Sequence, residues 1–315
     1  MYTHLGARPG GAAGVSHALA ESWENRVAVR TSKLDLGSYY DQAVPDYPQH
    51  LVPFHDDPRY QRLDAERQRR VLAAAWVAYN EKTISVEKAV VEPACELLLR
   101  GAFAGVDTIA MKRTVAQTLV DEQFHVLMCL DACLVARDRH DIPTLRFPKP
   151  LVVEELERGV ARCARPRDAE IVRLAFATVA EVTINAYLDL LANDQSIQPL
   201  NREITALHRK DESSHRKLFN EFTQALFPRF DDAERAAYLN GLAAGLDAFV
   251  RVDLGAWAAI LEHLEIPDAA GIMQRCQAGA PARIVRDFSG LRWLLRDIGV
   301  DEGDVPFPRG PGETE

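Results

Sequence analysis

The chain has 315 residues, 47% of them hydrophobic and 26% charged, an ordinary globular composition with enough length for a sizeable core. Its net charge is −9 and no block of Lys or Arg stands out, which excludes a conventional nucleic-acid binder. The N-terminal stretch has no basic region followed by an apolar core, and no apolar run approaches the roughly 18 residues of a membrane span, so neither a signal peptide nor a membrane protein is expected. The five cysteines form no CxxC pair and are expected to be small buried hydrophobes in a reducing cytoplasm.

In chain order, residues 1–30 are a Gly-rich mobile segment with a short helix from Ser16 to about Val29. A stretch rich in Pro, Tyr and Asp comes next, "DLGSYYDQAVPDYPQHLVPFHDDPRY", too broken for a regular element and long enough that it should cover something. Residues 31–310 are expected to form one domain. Asp64 caps a long helix that Gly101 stops and Pro93 should kink. A second long helix runs from Asp107 to about His140, where a proline-rich stretch (Pro143, Pro148, Pro150) breaks the chain. A short helix near 151–164 precedes a third long one ending near Asn193. A fourth spans Pro199 to about Leu226, and a fifth is expected from Asp231–Asp232 to about His263. The tail has helical pieces near 268–278 and 288–298. No useful alternating strand pattern occurs, so the fold class is all-α, a ferritin-like four-helix bundle with additional flanking helices.

Charged residues recur on the four long helices in a fixed order. The first carries Glu87, the second Glu122 and His125 in "DEQFH", the third Glu181 in "VAEVTIN", the fourth Glu212 and His215 in "DESSH". Each single Glu precedes the Glu of its ExxH by 35 and 31 residues respectively, one helix out and one helix back. Glu and His at i and i+3 share a helix face. Two such faces and two single carboxylates, turned inward, make a carboxylate-bridged dinuclear metal site. One ExxH alone would carry little weight. Two, each paired with an upstream Glu, carry much more, and the flanking "TLVDEQFHVLMCL" and "FATVAEVTINAYLDLL" are too apolar for solvated faces. A buried carboxylate without a partner costs several kcal/mol, so these need a cation. His208, four residues before Glu212, lies on the same stripe and is a candidate seventh ligand. Asp211 points off that stripe and should pair with a neighbouring base. Hard carboxylates with imidazole and no thiolate suit two iron ions that bind and reduce O2.

"YNEKTISVEKAVVEP", "DEQFH", "AEVTINAYLDLLANDQSIQP" and "LHRKDESSH" resemble the aminobenzoate N-oxygenase family of diiron proteins, and "VPDYPQHLVPF" and "RIVRDFSG" extend the resemblance over about residues 30–307. It implies O2-dependent oxidation of an amine to the hydroxylamine, nitroso and nitro levels, often in antibiotic biosynthesis, by a homodimer. It places the ligands on Glu87, Glu122, His125, Glu181, His208, Glu212 and His215. One position departs from the family: aminobenzoate oxidisers carry Arg where this chain has Lys82. Arg clamps a carboxylate through two parallel bonds and Lys does not. The substrate is therefore expected to be an arylamine other than free 4-aminobenzoate, such as one held on a carrier protein. Asn185, one turn after Glu181, and Tyr79, eight before Glu87, are further candidate substrate contacts. No flavin or nicotinamide fingerprint occurs, so electrons are expected from a separate reductase or from the substrate in later steps. Two other readings use the same E/ExxH order: an acyl-carrier desaturase or hydroxylase, against which His208 argues, and ferritin-like iron handling, against which the long flanking segments argue.

Overall fold

In a computed structural model of the chain, the described residues are 14–27, 40, 41, 43–278 and 287–305. The Gly-rich residues 1–13 lie outside them. Helix α1 spans Gly14–Arg26, and a single turn, α2, spans Pro58–Gln61. Asp64 begins the first long helix as read from the sequence: its side chain accepts from the Arg67 N–H at the start of α3 (Ala65–Val86). Pro93 does not simply kink this helix. A π turn at Glu87–Val91 precedes it, and Pro93 then sits in the first turn of α4 (Glu92–Leu99). The backbone stays helical through Glu92, and because proline lacks an N–H the i→i−4 ladder cannot continue unchanged there; the π turn lies where it is interrupted. The π turn begins at Glu87, the single carboxylate of the first half.

Helix α5 (Ile109–His140) starts on a Thr108 cap and ends where Asp141 turns left-handed, with φ 51°. After α6 (Leu151–Ala161), prolines open both remaining long helices, α7 (Pro166–Ala192) and α8 (Pro199–Leu226). Helix α3 packs on α5, α7 on α8, α5 meets α8 and α4 meets α7, which closes the four-helix bundle. Its interior is one continuous hydrophobic cluster that includes Trp76, Phe176, Phe219 and Phe222. The described residues contain no strand.

The expected fifth helix is two helices. Helix α9 (Asp232–Val250) opens on a reciprocal capping box between Asp231 and Glu234. The chain then extends at Arg251, and α10 (Leu254–His263) restarts on Asp253. Asp253 explains the break: one carboxylate oxygen caps the Ala256 N–H and the other accepts from the Leu151 N–H of α6. Helices α11 (Ala269–Ala278) and α12 (Ser289–Asp297) complete the described residues' long elements. Contrary to the expectation that no segment is apolar enough to span a membrane, α7 passes by length and composition. Yet 78% of its most apolar stretch is buried inside the bundle, as for a central core helix.

The broken segment before α2 covers the bundle as expected. Pro45 accepts the Gln198 N–H, Asn201 donates to Asp46, and the Tyr47 hydroxyl bonds that of Tyr187 at 2.9 Å.

Candidate metal centre

The seven residues expected as ligands converge in the middle of the bundle. Glu87 comes from the π turn, Glu122 and His125 from α5, Glu181 from α7, and His208, Glu212 and His215 from α8; none is more than 4% exposed. Their ligating atoms form three overlapping groups: Glu87, His125, His208, Glu212; then Glu122, His125, Glu212, His215; then Glu87, Glu122, Glu181. Glu87, Glu122, His125 and Glu212 each belong to two groups, and Glu212 is the carboxylate common to both four-residue groups.

Both ExxH histidines are oriented the same way. The Nδ1 of His125 is 2.8 Å from Glu122 and 3.3 Å from Glu212; that of His215 is 2.9 Å from Glu122 and 3.4 Å from Glu212. Each Nε2 faces outward to an aspartate of the other motif: His215 to Asp121 at 3.2 Å, His125 to Asp211 at 3.6 Å. His208 Nε2 lies 3.0 Å from Glu212 and 3.7 Å from Glu87.

The electrostatics show a site built for cations. Burial, with the neighbouring carboxylates, pushes Glu87 and Glu181 well above the usual carboxylate range. Glu122, despite the same burial, is held down to about 2 by His215 and His125, and Glu212 is held well below normal by His215 and His208. Against burial, Asp211 and the glutamates raise His125 to about 10; Glu122 and Glu212 raise His215 well above its ordinary value. Burial and the nearby His125 lower His208. Four carboxylates buried this closely need positive charge beside them, which two divalent cations would supply. One carboxylate oxygen of each of Glu87, Glu122, Glu181 and Glu212 is buried without a hydrogen-bond partner. Buried polar groups are rarely left so. The donor set of oxygens and imidazoles, with no sulfur, fits two iron or manganese ions.

A pocket of about 20 Å³, room for roughly one water-sized group, abuts the cluster and is lined by Glu87, Glu181, Glu212, Lys82 and Phe249. Tyr79, Lys82 and Tyr187 also line a second, outer cavity of about 510 Å³, walled by Tyr47, Phe147 and Trp257. Lys82 therefore stands between the two. Its Nζ is 5.7 Å from the Phe249 ring centroid, and burial lowers its pKa against the attraction of Asp253, which lines the same outer cavity. Tyr79 is buried at the same junction, stacked on Trp76 and edge-on to Tyr187. Asn185 lines neither cavity, and its amide has no hydrogen-bond partner. Helical phase put it on the face of Glu181 but did not bring it to the pocket.

Asp121 was not singled out from the sequence, although a signal was present: an aspartate precedes the Glu of both ExxH motifs. Its other oxygen accepts from the indole N–H of Trp23 at 2.7 Å.

A Glu from each of two helices and an ExxH from each of the other two, facing inward in a bundle, define a protein of the ferritin-like dinuclear carboxylate class. Within that class the chain belongs to the p-aminobenzoate N-oxygenase AurF family, whose model matches residues 11–299. It is 36% identical over 300 residues to the 4-aminobenzoate N-oxygenase of Streptomyces thioluteus, covering 93% of this chain and 89% of that one. Among solved structures it is similar to dimanganese(II)-NrdF of Streptococcus sanguinis, with a TM-score of 0.43 and 11% identity over 97% of each chain. The chain is an amine N-oxygenase that uses O2.

Proposed function

We propose that the chain oxidises the amino group of an arylamine larger than free 4-aminobenzoate, with Glu87, Glu122, His125, Glu181, His208, Glu212 and His215 holding two iron ions. When bound, the metal pair supplies activation of O2 for oxygen transfer to the amine nitrogen. The remaining work falls to the chain's own side chains. The observation that carries the reading is the pair of cavities joined at Tyr79, Lys82 and Tyr187. The inner pocket admits a group about the size of an amine. The outer cavity, about 510 Å³, is within the roughly 300–1,000 Å³ typical of drug-sized ligands. The aromatic walls suit an aryl ring, and the ammonium of Lys82 suits an anionic substituent on it. Lys149 and Glu157 at the outer rim are about half exposed, so the cavity also accepts an amine tethered to a carrier protein.

The step from amine to hydroxylamine consumes one O2, two electrons and two protons and releases one water. The first two electrons come from an external reductase. All five cysteines are free, which supports a reducing, cytoplasmic setting. The test is a screen of arylamines with the iron-loaded protein, O2 and a chemical reductant, read by mass. Addition of oxygen to the nitrogen of an extended arylamine supports the reading, and turnover of free 4-aminobenzoate alone refutes the size argument.

The working unit of this reading is a homodimer formed through α5. Ile109, Ala116, Val120, Leu127, Leu130 and Leu134 are exposed on α5, and with Arg113 and Gln123 they repeat at alternating steps of four and three residues. That is a coiled-coil seam about 38 Å long. A parallel second copy would set Arg113 against itself. An antiparallel copy sets Arg113 level with Leu130 and Asp131, and matches Ile109 with Leu134 and Ala116 with Leu127. Charge favours the antiparallel arrangement.

A further inference from the structure

Helix α1 lies outside the four-helix bundle and carries none of the seven ligands. It packs nonetheless on the two helices that carry both ExxH motifs, α5 and α8. Its contacts fall behind the histidines. Gln117 of α5 donates to the Ala20 carbonyl at 3.1 Å, and the Trp23 indole donates to Asp121 Oδ1 at 2.7 Å. Asp121 Oδ2 faces Nε2 of His215 at 3.2 Å.

We propose that α1 is a working part of the metal centre: Trp23 fixes Asp121, and through it the His215 imidazole of the second ExxH. The logic is one of donors and acceptors. An indole N–H only donates, so it occupies one oxygen of Asp121 and leaves the other for His215. An imidazole that donates from Nε2 keeps its Nδ1 lone pair turned inward as a ligand, and the carboxylate behind it makes that nitrogen more basic. Without Trp23, that oxygen of Asp121 would lose its donor, and the carboxylate could turn and release the His215 ring. Trp23 is a positioning residue, since it reaches the metal site only through Asp121.

The inference rests on the ligand assignment proposed above, and the experiment separates the two. Fe(II) is loaded anaerobically into the full chain and into Trp23→Phe, Asp121→Ala and the double variant. Release to a bipyridyl-type chelator is timed, and ligand-field bands of the Co(II)-loaded proteins are recorded. Wild type holding two metals tests the assignment. For the inference, Trp23→Phe should release metal at least about tenfold faster, the lower end for loss of an outer hydrogen bond. Its Co(II) bands should shift and its helicity should not. In the Asp121→Ala background the same substitution should change release by less than about twofold, because it acts through Asp121. A wild-type release rate in Trp23→Phe, or a tenfold effect that persists without Asp121, would overturn the proposal and leave α1 as packing.

Discussion

Removing single ligands should separate a shared carboxylate from a terminal imidazole. Glu212 belongs to both four-residue groups, whereas His208 belongs to one. Unfolding a chain of 315 residues carries an entropy of about 0.66 kcal/mol/K, from roughly 2.1 cal/mol/K per residue. Two metals at about 100 times their dissociation constants stabilise by about 2.7 kcal/mol each. The wild-type chain should then melt about 8 °C higher when loaded than when stripped. In Glu212→Ala both groups lose a member and the shift should fall below about 2 °C, with less than half a metal per chain by elemental analysis. In His208→Ala the group of Glu122, His125, Glu212 and His215 is intact. That variant should keep a shift of about 4 °C or more and bind close to two metals at saturation, yet lose most amine oxidation. The assay is a thermal melt with and without Fe(II), paired with metal content. Equal losses in the two variants would refute the shared role of Glu212. Full activity in His208→Ala would make His208 a core histidine.

Lys82→Ala should raise KM for an arylamine bearing a carboxylate by roughly tenfold or more, the scale of a lost charge-assisted bond, with a smaller change in kcat. Because burial lowers the Lys82 pKa, that affinity is present while the ammonium is protonated and fades as pH rises, beginning below the ordinary lysine value of 10.5; a KM–pH profile in wild type and Lys82→Arg reads this directly. Gly241→Ala would put a Cβ 2.7 Å from that of Ala175, where α9 rests on α7, and should cost about 1–3 kcal/mol, a fall of about 2–5 °C in Tm by thermal melt. Leu127→Asp with Leu134→Asp should convert a dimer to a monomer by sedimentation without loss of helicity; a wild-type chain that sediments as a monomer at tens of micromolar would rule out the α5 seam as a self-interface.

The helices were legible where side chains act locally. Asp64 caps its own helix, Pro166 and Pro199 open theirs, and the Glu87 and Glu181 to ExxH spacings survive intact in the bundle. Misreadings occurred where a distant element decides. Asp253 ends the α9 run because it caps Leu151, 102 residues away in sequence. Asn185 shares Glu181's phase, but α7 is turned so that Ile184 lines the pocket instead. Pro93 showed that the helix must adjust; that the adjustment is a π turn starting at a ligand depends on what the bundle needs from Glu87.

The convergence of the carboxylates and imidazoles was legible in the sequence for a chemical reason. Four buried carboxylates need cations whatever surrounds them, so apolar neighbours and ExxH spacing are enough to find them. What spacing cannot give is which aspartate serves which histidine. In each DExxH the Asp and the His are four residues apart on one side of their helix, yet each Asp meets the His of the other motif, on the other helix. Exchange of this kind ties α5 to α8 twice. Neither helix can slide along the other without breaking one of the Asp–His contacts behind the site. The two motifs consequently position each other as much as they bind metal, and a helix outside the bundle, meeting Asp121 through Trp23, has leverage on one of the two contacts.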